Sequence, residues 1–434
     1  MADVMKICIV TPGIYTYGPM ILGGILREAG HSVEITRKLS SDAGITLLSL
    51  FSTLQLLDPK IKEFVRSQDL VYLGGPVSIS PEMVLGELDV DAVITGEGEA
   101  IVADLVVSDI EKIPGVSFRR GGEIVKTQPV PLEVLDHPLP LIPEDLSSQD
   151  VRGANVYIET HRGCLGRCTF CQVPRFFGRA IRSRSLENVV REVRELKRYG
   201  VRRVAVSGGT GSLFGYGKDV NKGAFIELLQ SLSEILGPRN LSVPDMRVDF
   251  VDQEILEAVR DYTVGWVFFG IESGSDSILR AMRKGVTAER NQEAVELARS
   301  CGVKVGGSFI VGYPGETLED HKMTMNFMEE AMLHDIFVSI AEPIPKTPLA
   351  KLALEYQRDE NPLYQEHTGD YRALKLREAE ARCFELMLHG QGCKPLPRMI
   401  DDAMYGSFLK EARGQGDDIR RVMELLLKYR DFVV

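Results

Sequence analysis

The stretch GCLGRCTFC, residues 163–171, sets Cys164, Cys168 and Cys171 in a C-x-x-x-C-x-x-C spacing. Three thiolates so close in sequence can hold three irons of a [4Fe–4S] cube, because such clusters are ligated by cysteine sulfur. The fourth iron then has no protein ligand, so it can bind a small molecule and pass it one electron. Gly163 and Gly166 keep the loop slim enough to wrap a cofactor, and Phe170 can pack against a planar ligand. The bland alternatives are three incidental thiols or a zinc site with His161 as its fourth ligand. Structural zinc favours paired knuckles, and no second pair lies nearby.

Working outward, a strand at Asn155–Thr160 runs directly into this loop, so the cysteines sit at a carboxyl strand end. Further strands follow near Arg203–Ser207, Met246–Phe250, Val264–Ile271, Val303–Val311 and Ile336–Ala341, with helical stretches after them. Ser185–Tyr199 is one such helix, with a capping serine at its start and Gly200 as its stop. Six such units are too few for a closed eight-stranded barrel and fit an open partial barrel over residues 151–345. Beyond it, residues 346–434 read as a helical domain, with helices near 349–358, 370–389, 398–412 and 417–430.

Ahead of the barrel, residues 1–128 alternate strands and helices. The run MKICIVT is a strand, a helix spans Pro19–Ala29, and strands recur at His31–Thr36, Ile45–Leu50, Leu70–Leu73 and Ala92–Ile94. This pattern predicts a parallel, doubly wound, flavodoxin-like sheet that binds ligands at its carboxyl ends. GVSFRRGGEIVKTQ reads as a hairpin turning at Gly121 and Gly122. Residues 129–150 carry Pro129, Pro131, Pro138, Pro140 and Pro143 and predict an extended linker.

The cysteine spacing, with an aromatic residue before the last thiol, resembles the signature of the radical S-adenosylmethionine (radical SAM) enzymes. The resemblance implies that Cys164, Cys168 and Cys171 hold the cube and that SAM binds the open iron through its amino and carboxylate groups. Reductive cleavage of SAM then gives methionine and a 5′-deoxyadenosyl radical. Gly208 and Gly209, after the second barrel strand, resemble the family's GG motif for the SAM amino group; taken alone, Gly-Gly is a tight turn. Gly270–Gly274 (GIESG) resembles a family segment in which Glu272 and Ser273 would bond SAM; the alternative is a helix cap. Arg247 could pair with the SAM carboxylate or with a surface acid, and Gly312 ends a strand beside the adenine position. Tyr216 and Tyr313, near strand ends, are candidate active-site phenols.

Three glycine- or hydroxyl-bearing segments mark the strand ends of the first domain. They are Ser49, Ser52 and Thr53; Gly74, Gly75 and Pro76; and Gly96, Glu97 and Glu99. Neither G-x-G-x-x-G nor a phosphate-loop lysine is present, which disfavours a nucleotide. The order GGP then GEGE resembles the cobalamin-binding domain of cobalamin-dependent radical SAM enzymes. The chain departs from mutase-type cobalamin domains, which carry D-x-H-x-x-G; here the first strand is followed by PGIYTYGPM. The lower face of the cobalt would be met by Tyr15 or Tyr17, beside Gly18, or left open.

Lys plus Arg number 51 against 62 Asp plus Glu, a formal charge of −11, which argues against nucleic acid as a partner. The arginines around the cysteine loop (162, 167, 175, 179, 182 and 184) form either a basic rim or a charge-balanced loop. Seven cysteines without scaffold spacing, no signal segment and no apolar run of roughly 20 residues predict a reduced cytoplasmic protein with no membrane partner. The resemblance implies methylation of an unactivated sp3 carbon, with [4Fe–4S], SAM and cobalamin as cofactors and a reductant protein as partner. The compact first domain and short helical C-terminus are similar to enzymes that methylate the α-carbon of a glutamine in methyl-coenzyme M reductase. A cobalamin enzyme acting on a small molecule and a non-catalytic electron-transfer protein are the other expectations.

Overall fold

The computed structural model describes residues 4–433. Its first unit is a seven-stranded sheet of order β2-β1-β3-β4-β5-β6-β7. The strands are β1 (Lys6–Val10), β2 (Ser32–Thr36), β3 (Ile45–Ser49), β4 (Val71–Gly74), β5 (Ala92–Ile94), β6 (Val116–Arg120) and β7 (Glu123–Lys126). The first five pair in parallel, as alternating strands and helices require. The hairpin β6–β7 adds antiparallel to the β5 edge, which makes the sheet wider than the five-strand expectation. Apolar side chains cover both faces: Val10, Leu48 and Leu73 on one, Ile9, Leu47 and Tyr72 on the other.

The proline-rich segment is a strap, not a free linker. Leu141 N–H donates to Met20 O at 2.8 Å, and Leu135, His137 and Ile142 are buried. The helix Tyr17–Glu28 accepts the strap because Gly23 and Gly24 face it. A Cβ at Gly24 would lie 2.3 Å from Leu139 O.

The second unit is a partial barrel. β8 (Val156–Glu159) is followed by the short antiparallel ribbon β9 (His161–Arg162) and β10 (Arg182–Ser183) that flanks the cysteine loop. β11 (Val204–Ser207), β12 (Leu241–Ser242), β13 (Asp245–Met246), β14 (Trp266–Glu272), β15 (Lys304–Val311) and β16 (Asp335–Ile340) complete it. All barrel pairings are parallel. The third strand differs from expectation. It lies at 241–246 and is broken at Pro244, so that β12 pairs with β11 and β13 with β14. Residues 248–250 form a 3₁₀ turn, which takes Arg247 and Asp249 off the strand. β8 and β16 are the free edges.

The helix Leu186–Arg198 begins where predicted, with Ser185 Oγ accepting from Asn188 N–H. The C-terminal helices are Pro348–Glu355, Glu378–Gly392 and one long helix, Asp402–Lys428, in place of the two predicted there. Gly414 and Gly416 suggest a break, but Gly416 is a contact point: a Cβ there would meet the Glu380 side chain at 2.3 Å. The long helix returns to the first unit, where Lys428 Nζ (2.6 Å) and Tyr429 Oη (3.0 Å) reach Glu87. No helix among the described residues is long and apolar enough to cross a membrane.

Candidate active site

The cysteine loop and the Gly-Gly loop lie against each other at the barrel's carboxyl end. A Cβ at Gly209 (φ +88°) would sit 3.5 Å from Gly163 O and 3.9 Å from Cys164 Cβ. A Cβ at Gly166 would meet Cys164 Sγ at 3.4 Å and Cys168 Sγ at 3.6 Å, so that glycine leaves the space between two thiols open. Among the described residues no three His, Cys, Asp or Glu side chains converge on a single ion; thiols spread along a loop suit separate corners of a cube. His161 is not a zinc ligand. Its ring is fully buried beneath Gly208, where a Cβ would come within 2.6 Å of it, and its Nε2 lies 3.0 Å from Thr210 O. Burial pushes its pKa down to about 4, so the ring is neutral.

Arg247 reaches the loop. Its Nη1 lies 3.5 Å from Cys168 Sγ, while Asp249 holds Nε and Nη2 at 2.9 and 2.8 Å. Phe170 packs beside Ile310 and Tyr313. Glu272 (φ +67°) follows a bulge in β14 and is buried. Its partner is Lys284, at 2.7 Å, a residue the sequence reading did not single out; Ser308 donates to its other oxygen at 3.2 Å. A buried carboxylate demanded a partner, and the protein itself supplies one.

Four of the expected site residues have contacts of their own within the protein. Ser273 faces the helix Leu318–Ala331, bonding Thr324 at 3.1 Å and accepting from the Ser275 N–H at 3.1 Å, so its hydroxyl is held within the protein. Gly312 (φ +67°) is a close-approach point where a Cβ would meet Ala379 Cβ at 2.7 Å. Tyr313 is buried, its hydroxyl bonded to Thr169 at 2.8 Å, so it braces the cysteine loop rather than offering a free phenol. Tyr216 bonds Lys218 O in an exposed turn, away from the thiols.

A cavity of about 430 Å3 lies between the two units. Tyr17, Gly18, Ser49, Gly74, Gly75, Pro76, Gly96, Glu97 and Glu99 line it from the first sheet, and Tyr157, Glu159, Arg162, Gln172 and Ser207 from the barrel. Tyr15, Ser52 and Thr53 are not among its lining residues. Arg37 lies over the Tyr15 ring at 4.7 Å, and Ser52 caps the 3₁₀ turn that Thr53 begins. Tyr17 does line it, but its hydroxyl turns to the barrel seam. There it meets Glu192 (2.8 Å), Arg184 (2.6 Å) and His137 (3.3 Å).

Glu97 and Glu99 are likewise spoken for. Arg162, buried, binds Glu97 at 2.8 Å, Glu159 at 2.7 Å and Glu99, while Arg182 holds the other oxygen of Glu97 at 2.7 Å. Burial acts to raise Glu97, but the hydrogen bonds from Arg182 and Arg162 outweigh it and hold the group below its ordinary range. Burial pushes Glu159 up to about 7 against the pull of Arg162. Arg162, Arg182 and Arg184 are therefore seam residues, not a basic rim.

Comparison with known proteins decides the family. Residues 158–328 match the model of the radical SAM superfamily. A Methanocaldococcus jannaschii protein named "Putative methylthiotransferase MJ0865" is 51% identical over 99% of this chain and 98% of its own length. The chain belongs to the radical SAM superfamily. As a radical SAM enzyme it takes a [4Fe–4S] cluster and SAM, and the matched residues include Cys164, Cys168 and Cys171. A Pyrococcus horikoshii "Uncharacterized methyltransferase PH0819" is 29% identical over 81% of this chain and 83% of its own. In fold, the radical SAM enzyme resembles TsrM, a radical SAM methyltransferase from Kitasatospora setae solved with cobalamin and a [4Fe–4S] cluster. The TM-score is 0.67 and the identity 16%, covering 97% and 99% of the two chains. OxsB, a cobalamin-dependent SAM radical enzyme solved with aqua-cobalamin and SAM, gives a TM-score of 0.66 at 18% identity, covering 98% of this chain and 72% of its own.

Proposed function

We propose that this chain is a cobalamin-dependent radical SAM methyltransferase that methylates an sp3 carbon of a protein, the α-carbon of a glutamine in methyl-coenzyme M reductase. The observation that carries the reading is the cavity at the carboxyl ends of the first sheet, walled on its other side by the segment bearing the cysteine loop. A bulky ligand seated on that sheet abuts the site of the cluster. The cradle suits a corrinoid. Gly74 and Gly75 let it approach the backbone, and a Cβ at Gly75 would crowd Leu50 O at 2.4 Å. Thr16, on the same wall, has a buried hydroxyl with no partner, free to bond an amide arm. The solved proteins of this fold and the methyltransferase name of the Pyrococcus relative support the same reading.

Bound cobalamin would supply a transferable methyl group, and the cluster with SAM would supply the radical that removes a substrate hydrogen. This chain's own residues position the two: Arg162 and Arg182 clamp the first sheet to the barrel, Tyr313 fixes the cysteine loop through Thr169, and Arg247 stands beside the thiols. A reductant protein delivers electrons.

The name of the Methanocaldococcus relative favours a second reading, methylthio transfer. That product needs a sulfur atom from outside the methyl group. Cys8, Cys301 and Cys383 are buried core residues, Cys393 ends the helix Glu378–Gly392, and among the described residues no three of the ligating side chains gather at one point, so nothing there favours a second sulfur-bearing centre. The test is anaerobic turnover of the reconstituted enzyme with methyl-labelled SAM and a peptide bearing the glutamine. 5′-Deoxyadenosine with a peptide heavier by one methylene is expected. Label in a small molecule only, or sulfur in the product, overturns the substrate assignment. An absence of 5′-deoxyadenosine leaves an electron-transfer protein.

A further inference from the structure

Three segments meet at the cysteine loop, and none of them carries an acid. Residues 160–186 contain the loop itself. Residues 277–288 reach it where Thr169 N–H donates to Met282 O at 2.9 Å, and residues 343–354 where Leu349 N–H donates to Thr169 O at 3.1 Å. Together the three hold eleven cations and no Asp or Glu, in a chain whose formal charge is −11. Arg162, Arg182 and Arg184 are taken up by the seam, Lys284 by Glu272, and Lys351 by Glu355 at 3.9 Å. That leaves Arg167, Arg175, Arg179, Arg280, Arg283 and Lys346, which have no carboxylate partner among the described residues.

These charges come to the surface where the thiols do. Arg167, Arg179, Arg280 and Arg283 are exposed, and Arg175 and Lys346 are half-buried. Arg175 Nη1 donates to Cys168 O at 3.1 Å and also to Cys171 O, and Arg179 Nη2 donates to Leu165 O at 3.0 Å. The two guanidiniums are thus anchored to the loop, yet carbonyl oxygens leave their positive charge uncompensated. Cys171 is half-buried whereas Cys164 and Cys168 are buried, so the loop's ligands come nearest to solvent beside Arg175. None of the six cations lines the cavity between the two units. A partner on this face leaves the corrinoid site clear.

We propose that this face is the docking surface for an acidic one-electron carrier protein, which passes its electron to the cluster beside Cys171. The carrier is oxidised by one electron, the cluster is reduced by one, and no atom is transferred. Each cleavage of SAM consumes one electron from outside. Electron transfer slows steeply with distance, so the donor must sit where the cluster's ligands approach the surface. An acidic carrier is attracted here and repelled by the acidic remainder of the chain, and that contrast fixes its orientation as well as its choice. The inference rests on the electron demand of radical SAM chemistry and gives the reductant of the proposed function its place; it holds whatever carbon accepts the methyl group.

The test uses the reconstituted full-length enzyme under anaerobic conditions, with a ferredoxin of strongly negative net charge as the probe. Fluorescence anisotropy reads binding of the dye-labelled, oxidised ferredoxin. Freeze-quenched electron paramagnetic resonance of the cluster reads electron delivery from the reduced form. Wild-type affinity is expected to fall steeply between about 50 and 300 mM salt, because screening weakens contacts between exposed charges. Arg167→Glu with Arg283→Glu should weaken binding about tenfold and slow delivery in step, while reduction by dithionite and SAM affinity stay at the wild-type level. Arg194→Glu with Arg198→Glu makes the same change in net charge at the end of the helix Leu186–Arg198 that leads into β11, away from the strands' carboxyl ends. It should weaken binding by less than about twofold. R167K with R283K keeps the charge and should bind within about twofold of wild type. Should the reversed pair lose its iron, R167Q with R283Q carries the same comparison. No binding to the wild type, salt-insensitive binding, equal weakening by the two reversed pairs, undiminished delivery to R167E/R283E or weak binding by R167K/R283K overturns the proposal. A reversed pair that weakens binding of the glutamine peptide but not of the ferredoxin gives the face to the substrate and also overturns it. Delivery and SAM cleavage without methyl transfer would sink the methyltransferase reading and leave this one standing.

Discussion

Replacing Arg162 with alanine should loosen the seam between the first sheet and the barrel, and more so at high pH. Arg162 serves three carboxylates with a nearly inaccessible side chain. Stripping one partner from a buried ion pair costs about 3–5 kcal/mol, because the other charge is left uncompensated. Arg182 keeps its 2.7 Å contact with Glu97, so the exposed deficit falls on Glu159 and Glu99. We expect a loss of about 4 kcal/mol at pH 8, near the middle of that range. Without the guanidinium Glu159, already raised by burial, takes up a proton in the folded state at a pH where the unfolded chain has released it. Folded pKa values above the unfolded ones mean that stability falls as pH rises through the folded values. Glu159 stands at about 7 even with its partner present, so the deficit should shrink on going from pH 8 to pH 5.5. Urea unfolding of wild type, R162A and R162K at the two pH values measures it, with R162K between the others because a single ammonium cannot serve three acids. A deficit below about 1 kcal/mol at pH 8, the ordinary worth of a surface pair, or one that does not change with pH, refutes the argument.

Gly208→Ala should leave the iron content near wild type but weaken SAM binding about tenfold or more, since the new methyl meets the His161 ring and must lift the Gly-Gly loop; overpacking of this kind costs about 1–3 kcal/mol. Equilibrium dialysis with labelled SAM reads it, and unchanged affinity would remove that loop from the SAM site. Tyr313→Phe loses the bond to Thr169 and should lower stability by about 1 kcal/mol while 5′-deoxyadenosine is still formed. Complete loss of SAM cleavage would restore Tyr313 as a chemical participant.

The elements with strong local signals were legible in the sequence: the thiol spacing, the β-branched strands, the capping serine at Ser185 and the Gly200 stop. Long-range choices were not. Glu97 and Glu99 were visible as carboxylates at a strand end, but their partner Arg162 lies more than sixty residues on, and no local pattern links the two. The glycine at 208 was legible; the reason for it, a buried histidine wedged beneath, was not. Pro244 was the available sign that the third barrel strand would break, since proline cannot donate to a ladder, and it outweighed the alternation of Met246, Val248 and Phe250 with Arg247 and Asp249. At the C-terminus two helices were expected, near 398–412 and 417–430, where the structure has one. The chain remains helical there because Gly416 gives up its side chain to the packing of Glu380, a tertiary demand that overrides propensity.

The same long-range contacts explain why so many expected cofactor ligands turn out to bind protein instead. A cofactor held between two units needs those units fixed relative to one another, and the fixing groups must line the seam that the cofactor fills. Arg162 with its three acids, and Tyr17 with Arg184, Glu192 and His137, stand on the cavity's rim. Lys428 and Tyr429 join the far helix to Glu87 on the other side of the first unit. Buried ion pairs add little net stability but penalise every misaligned arrangement, which would leave charges bare. Acids and phenols placed at strand ends thus serve position first.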